Sequence, residues 1–331
     1  MIRTEVTRTM HAVTRDRYGP PDVLRFRETA IPAVRDDEVL VRVHAAAVNP
    51  ADSHATRGVP YIARLMGYGL LRPKHAIPGT DLAGRIDAVG ASVTRFQPGD
   101  EVFGFATGAF AEYAAVPGRS LVRKPANLTF EQAAAVPTAA CTALQGLRDR
   151  GRVQPGRRVL IVGASGGVGS FAVQIAKAFG AEATGVTSTR NVDLVRSTGA
   201  DHVVDYSHED FTSNGRRYDV ILDLAGNQPL SACRRALEPT GTLVVVGGQN
   251  ARSLTGMGRF ARAALMSPLV RQSLRPLFAK QNPSDLAVLN DLIEGGKVLP
   301  VIDRAYALAD ARDALRHVEN GHARGKVVIT P

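Results

Sequence analysis

The chain has 331 residues, 44% hydrophobic and 22% charged, with 41 Lys+Arg against 31 Asp+Glu for a formal charge of +10. At ~100–200 residues per domain this length predicts two domains, with cores large enough to need no disulfide or metal staples. No apolar run approaches the ~20 residues of a transmembrane helix. The first ten residues carry Arg3, Glu5 and Arg8 in place of an apolar secretory segment. Cys141 and Cys233 are the two cysteines, too few for a disulfide framework or a four-thiolate zinc site. A reducing, cytoplasmic setting is therefore expected. The arginines are scattered, aromatics are 5% and Trp is absent, so no dedicated nucleic-acid site is expected.

From about Met10 to Pro125, alternating runs such as Glu38-Val39-Leu40-Val41-Arg42-Val43 are punctuated by Pro78-Gly79 and Pro98-Gly99-Asp100. This predicts a β-rich domain. Thr129 with Gln132 three residues on reads as a capping box, and the Ala-rich run to Ala140 predicts a close-packed helix. From Thr129 to Val246 strands alternate with helical stretches, the βαβ pattern of a doubly wound parallel sheet. Between Ser253 and Phe278, Leu254, Met257, Phe260, Leu265 and Leu269 interleave with Arg259, Arg262, Arg271 and Arg275. That stretch reads as an amphipathic basic helix or lid, interrupted at Pro268 and packed at a domain or subunit edge. A surface for a membrane, a quinone tail or a partner is the alternative. The chain closes with a helix over 310–319 and an apolar strand over 326–330.

The chemistry is written in Arg158-Val159-Leu160-Ile161-Val162-Gly163-Ala164-Ser165-Gly166-Gly167-Val168-Gly169. A buried strand enters a glycine turn and leaves as an amphipathic helix. Ala164, Gly166 and Gly169 stand in G-x-G-x-x-G register, and a second strand follows at Ala183–Val186. Gly166 lets the backbone approach a pyrophosphate, and Gly169 lets helix and strand pack closely. The helix N-terminus offers free N–H groups and positive potential to phosphates. Dinucleotide binding follows, with Ala164, Ser165, Gly166, Gly167 and Val168 as the cradle.

At the end of the second strand, where NAD sites place an acid, the chain reads Thr187-Ser188-Thr189-Arg190-Asn191. Arg190 suits a 2′-phosphate, with Thr187 and Ser188 beside it, so NADP(H) is the expected cofactor. Asp193 falls in the next helix as a solvated residue. Further strands end near Tyr206, Ala225, Gly226, Gly247 and Gly248, which are expected at the cofactor rim because ligands lie outside the carboxyl ends of such strands.

Several further motifs occur in order: Asn49-Pro50-Ala51-Asp52, Pro78-Gly79-Thr80-Asp81, Gly108-Ala109-Phe110-Ala111-Glu112-Tyr113 and Gly321-His322-Ala323-Arg324-Gly325-Lys326-Val327-Val328. With them, from about Met10 to Thr330, the chain resembles the zinc-independent quinone oxidoreductases of the medium-chain dehydrogenase/reductase superfamily, the group that includes zeta-crystallin. The resemblance implies a GroES-like catalytic domain over 1–128, completed by 298–331, and a Rossmann domain over 129–297. It implies an active site between them and hydride transfer from NADPH to a quinone or other α,β-unsaturated carbonyl. It also implies a homodimer, through edge-strand pairing near Leu243–Gly247.

By the same resemblance, Asn49 would hold the nicotinamide or polarise a substrate oxygen, Asp52 would orient, and Tyr61 would be a candidate proton donor. Thr138 and Lys326 would stand near the cofactor. Zinc members carry Cys where this chain has Val48-Asn49-Pro50, and Gly-His-Glu where it has Gly79-Thr80-Asp81. His44, His54 and His75 are scattered, so no metal site is expected. The segments Ile62–His75 and Ser253–Arg275 depart from the group and bear on the substrate. Two other readings stay open. One is a 2-enoyl thioester reductase or zinc-free alcohol/aldehyde dehydrogenase; the other is a non-catalytic NADPH-binding protein.

Overall fold

The computed structural model describes residues 8–61, 64, 68–247, 258–321 and 323–331. The first unit contains β1 (Thr9–Thr14), β2 (Arg25–Ala30), β3 (Glu38–Val48), α1 (Pro50–Arg57), β4 (Asp81–Val89), β5 (Glu101–Phe105), β6 (Tyr113–Pro117) and β7 (Leu121–Arg123). Helices α2 (Phe130–Ala134) and α3 (Pro137–Leu144) follow. The Thr129 capping box forms as expected: its Oγ1 accepts from the Gln132 N–H at 3.2 Å, and the Gln132 side chain accepts from the Thr129 N–H at 3.0 Å. The single helix expected to Ala140 is instead two. Pro137 cannot extend the first, because it lacks the N–H and its ring crowds the preceding turn, so it opens the second.

The second unit runs through β8 (Arg158–Val162), α4 (Gly167–Ala178), β9 (Glu182–Thr187), α5 (Val192–Ser197), β10 (His202–Asp205), β11 (Tyr218–Asp223), α6 (Leu230–Arg235), β12 (Leu237–Val245), α7 (Gly258–Met266), β13 (Ser273–Pro276) and α8 (Pro283–Glu294). Its parallel sheet has the order β10-β9-β8-β11-β12-β13, the doubly wound Rossmann arrangement. The chain ends with β14 (Ile302–Ala307), α9 (Ala311–Glu319) and β15 (Lys326–Thr330). These last strands return to the first sheet: β15 lies parallel to β14 and antiparallel to β3, pairing Val327 with Val48.

The basic stretch after β12 is only partly helical. Gly248 and residues 251–257 fall outside the described residues, as do 62, 63 and 65–67 of the other divergent segment. Helix α7 stops at Met266, before Pro268, and Ser273–Pro276 then adds a sixth strand. Strand β12 thus has neighbours on both sides, so Leu243–Gly247 is not a free edge; the edges of this sheet are β10 and β13.

One apolar core joins the units. It contains Ala45, Ala47 and Phe103 of the first sheet, the alanines of α2 and α3, Ile161 and Leu222 of the second sheet, and Phe171 of α4. Small side chains let these layers approach closely, and close packing resists relative movement of the two site walls.

Candidate active site

A cavity of about 560 Å³ opens where the two units meet, within the usual range for ligand sites. One wall is the loop between β8 and α4. Gly163 turns there with φ +90, and Gly166 caps α4 in extended conformation. A Cβ at Gly169 would lie 2.1 Å from the Gly163 carbonyl oxygen, so only glycine lets α4 pack on β8. A Cβ at Gly166 would meet nothing closer than 3.5 Å, because Gly166 borders open cavity. This glycine cradle leaves room for phosphate oxygens above free helix N–H groups.

Ser165 Oγ accepts from Thr187 Oγ1 at 2.9 Å and from Asn191 Nδ2 at 3.1 Å. Its own hydrogen is then free to donate into the cavity. The buried Asn191 Oδ1 has no hydrogen-bond partner. Thr187, Ser188, Arg190, Tyr206 and Ala225 also line the cavity. Arg190 and Tyr206 lie exposed on its rim, and the Arg190 carbonyl accepts from Arg324 Nη2 at 3.2 Å. A charged phosphate group and a stacked base fit these groups, and the residues present suit a dinucleotide.

Four expected cofactor residues, Ala164, Gly226, Gly247 and Thr138, stand back from the cavity lining. Ala164 is fully buried in the turn. Gly247 is a packing glycine, since a Cβ there would lie 1.9 Å from the Leu224 carbonyl oxygen. Thr138 is half-buried next to the lining residue Ala139, with its N–H and Oγ1 donating to the two Asp81 oxygens at 3.1 and 2.6 Å.

The facing wall comes from β3, α1 and β15. The Asn49 N–H donates to Asp52 Oδ2 at 2.8 Å, which places the carboxylate in the first turn of α1. The Asn49 side chain turns away from the helix. Its Nδ2 donates to Asp81 Oδ2 at 3.0 Å and Thr80 Oγ1 at 3.4 Å, while its Oδ1 accepts from Lys326 Nζ at 2.5 Å. Lys326 also donates to the Val48 carbonyl at 3.3 Å. Asn49, Asp52, Asp81 and Lys326 are all at most 3% exposed. Burial pushes Asp52 up to about 7, against the lowering pull of the Asn49 N–H and Lys326. Burial also raises Asp81 and lowers Lys326, and Asp81 and Asp52 draw Lys326 back upward. Lys326 is therefore not a surface side chain. Its neighbour Asp81 was not anticipated as a site residue, because its role comes from contacts with Asn49 and Thr138, which lie 32 and 57 positions away.

Tyr61 is not brought to this site. It is 51% exposed, does not line the cavity, and lies beneath the Arg64 guanidinium at 4.8 Å. No group of three or more His, Cys, Asp and Glu among the described residues is placed to hold a metal. An amide, a hydroxyl and an ammonium at Asn49, Thr80 and Lys326 do not make the thiolate and imidazole set that zinc takes.

A Rossmann sheet and a β-rich unit that share one cleft, with a glycine cradle on one wall, define a nucleotide-dependent dehydrogenase or reductase. The chain belongs to the medium-chain dehydrogenase/reductase superfamily, in its quinone oxidoreductase-like group, and is an NAD(P)H-dependent oxidoreductase by family. Residues 35–126 match the alcohol dehydrogenase GroES-like domain and residues 198–329 match a family described as zinc-binding dehydrogenase. It is 34% identical to the mitochondrial NAD(P)H oxidoreductase RTN4IP1 of Danio rerio, over 95% of this chain and 89% of that one. It is 34% identical to a chloroplastic NADPH-dependent alkenal/one oxidoreductase of Arabidopsis thaliana, over 98% of this chain and 81% of that one. The solved quinone oxidoreductase from Coxiella burnetii has a TM-score of 0.85 and 31% identity, covering 98% and 100% of the two chains.

Proposed function

We propose that this protein is a zinc-independent, NADPH-preferring reductase of quinones or other α,β-unsaturated carbonyls. The observation that carries this reading is the cavity itself, which sets the buried Asn49–Lys326 pair against the glycine cradle. NADPH, when bound, supplies the hydride. The chain's residues bind and orient it: Gly166, Gly167 and Ser165 take the pyrophosphate, and Arg190 takes the 2′-phosphate. Asn49 is a positioning residue, since its amide is engaged at both ends. The relatives named for alkenals and quinones support the substrate class.

We place the domain division at 1–128 with 298–331 against 129–297, which agrees with the sheet to which each strand belongs. A homodimer is proposed through the free edge at β13. The two free, buried cysteines suit a reducing compartment such as the cytoplasm, although two relatives are mitochondrial and chloroplastic. No helix among the described residues is long and apolar enough to cross a membrane.

The test is NADPH oxidation with a small ortho-quinone and with a short enone, with NADH run beside it. Turnover favouring NADPH supports the reading. Equal rates with NADH sink the Arg190 assignment. No turnover with either acceptor sinks the function.

A further inference from the structure

Lys326 is placed with unusual definition. Gly325, at φ +108, makes the turn that lets the Lys326 N–H donate to the Val301 carbonyl at 2.8 Å and start β15. The side chain then crosses the glycine loop, where a Cβ on Gly167 would lie 2.8 Å from Lys326 Cδ. It ends at the Val48 carbonyl and Asn49 Oδ1. An ammonium has three donors. Two are used, and the third has no hydrogen-bond partner among the described residues, while Lys326 lines the cavity. Asp81 holds Asn49, and Thr138 holds Asp81, so the ammonium sits at the end of a chain of fixed hydrogen bonds.

We propose that Lys326 is a catalytic residue: its free N–H stabilises the oxyanion that forms on the acceptor carbonyl. This rests on the functional reading above. A hydride, with its electron pair, leaves the dihydronicotinamide and forms a C–H bond at the electrophilic carbon of the acceptor. The displaced π pair moves to the carbonyl oxygen, where Lys326 donates a hydrogen bond. A proton from water then gives the saturated ketone or the quinol. A preorganised donor of this kind is effective because it is already desolvated and oriented when the charge appears. Its place beside Asn49 is that of a built-in cation where a zinc set is missing.

The first arm uses 4-nitrophenol as an oxyanion probe, titrated by absorbance in the wild-type protein with NADP+. Its bound form is expected to ionise about 1–3 pH units lower than in water, as beside an opposite charge. Lys326→Met is expected to abolish that shift, and Lys326→Arg to keep part of it. The second arm measures steady-state rates and NADPH affinity. Lys326→Met is expected to lower kcat about 10²–10³-fold, as for loss of one oxyanion donor, with the NADPH Kd within about threefold, a smaller change than one lost contact to a charged group. Weaker NADPH binding with unchanged kcat at saturation overturns the proposal and makes Lys326 a cofactor anchor. If Lys326→Met does not fold, the wild-type titration decides: an unshifted phenol overturns the proposal. Turnover with an unshifted phenol overturns the role of Lys326 alone, whereas no turnover by wild type overturns the functional reading.

Discussion

Two glycines of the phosphate loop, Gly166 and Gly169, are expected to fail in different ways when each becomes alanine. At Gly169 the new methyl would lie 2.1 Å from the Gly163 oxygen and 2.7 Å from Ala164 Cα. Both are backbone atoms, so relief requires α4 to move away from β8. Alanine gains about 0.5–1 kcal/mol inside a helix, while overpacking of this kind costs about 1–3 kcal/mol or more. With the clash against backbone putting the cost at the upper end, Gly169→Ala is therefore expected to lose about 2–2.5 kcal/mol. At Gly166 the backbone has φ −81 and ψ 175, which any residue adopts, and the methyl makes only an ordinary contact at 3.5 Å. The loss at this cap position is about 0.5–1 kcal/mol, since alanine is a poorer N-cap than glycine. The methyl stands, however, where a pyrophosphate must approach. Losing one charged hydrogen bond costs about 1.5–3 kcal/mol, or roughly 10–100-fold in NADPH Kd. Urea midpoints and NADPH fluorescence titrations on both variants separate the two effects. A Gly169→Ala protein as stable as wild type, or a Gly166→Ala protein that binds NADPH normally, would refute this reasoning.

Arg190→Ala is expected to raise the NADPH Kd about 10–100-fold and leave that of NADH within about twofold, since only NADPH carries the phosphate; paired fluorescence titrations check it. Tyr61→Phe is expected to leave kcat unchanged in steady-state assays with either acceptor, because Tyr61 lies outside the cavity lining. Asp52 gives a pH signature. Its folded value of about 7 exceeds the ordinary 3.8, so its share of stability is full below about pH 4 and falls as pH rises toward 7. Asp52→Asn is expected to gain stability relative to wild type across that window, by up to about 4 kcal/mol, and to level off above it. Chemical denaturation at several pH values measures this, and a pH-independent difference between the two proteins would contradict it. Thr138→Val removes one hydrogen bond to Asp81 and is expected to cost about 1–3 kcal/mol by leaving the carboxylate under-satisfied, as read by thermal melting.

The nucleotide wall was legible in the sequence because it is local. Strand, glycine turn, helix and the Arg190 position lie within about 30 consecutive residues, and each glycine has its own steric task. The capping box at Thr129 and the closing strand at Lys326 are local for the same reason. The facing wall was only half legible. Asn49 and Lys326 were marked by resemblance, but their hydrogen bond spans 277 positions. Asp81 became a site residue only when folding set Asn49 and Thr138 against it.

Departures of the fold from the local pattern have the same origin. Pro137 breaks a helix that composition alone extends. Leu243–Gly247 reads as an edge until Ser273–Pro276, hidden in an amphipathic pattern, pairs beside it. Sequence by itself determined the fold class and the NAD(P)H-dependent oxidoreductase family, because backbone sterics and turn chemistry act between near neighbours. Tertiary structure decided the rest: which edge is free, that Tyr61 stays outside, and that Lys326 is buried against Asn49. Burial, and the polar partners that burial demands, depend on segments far apart in the chain.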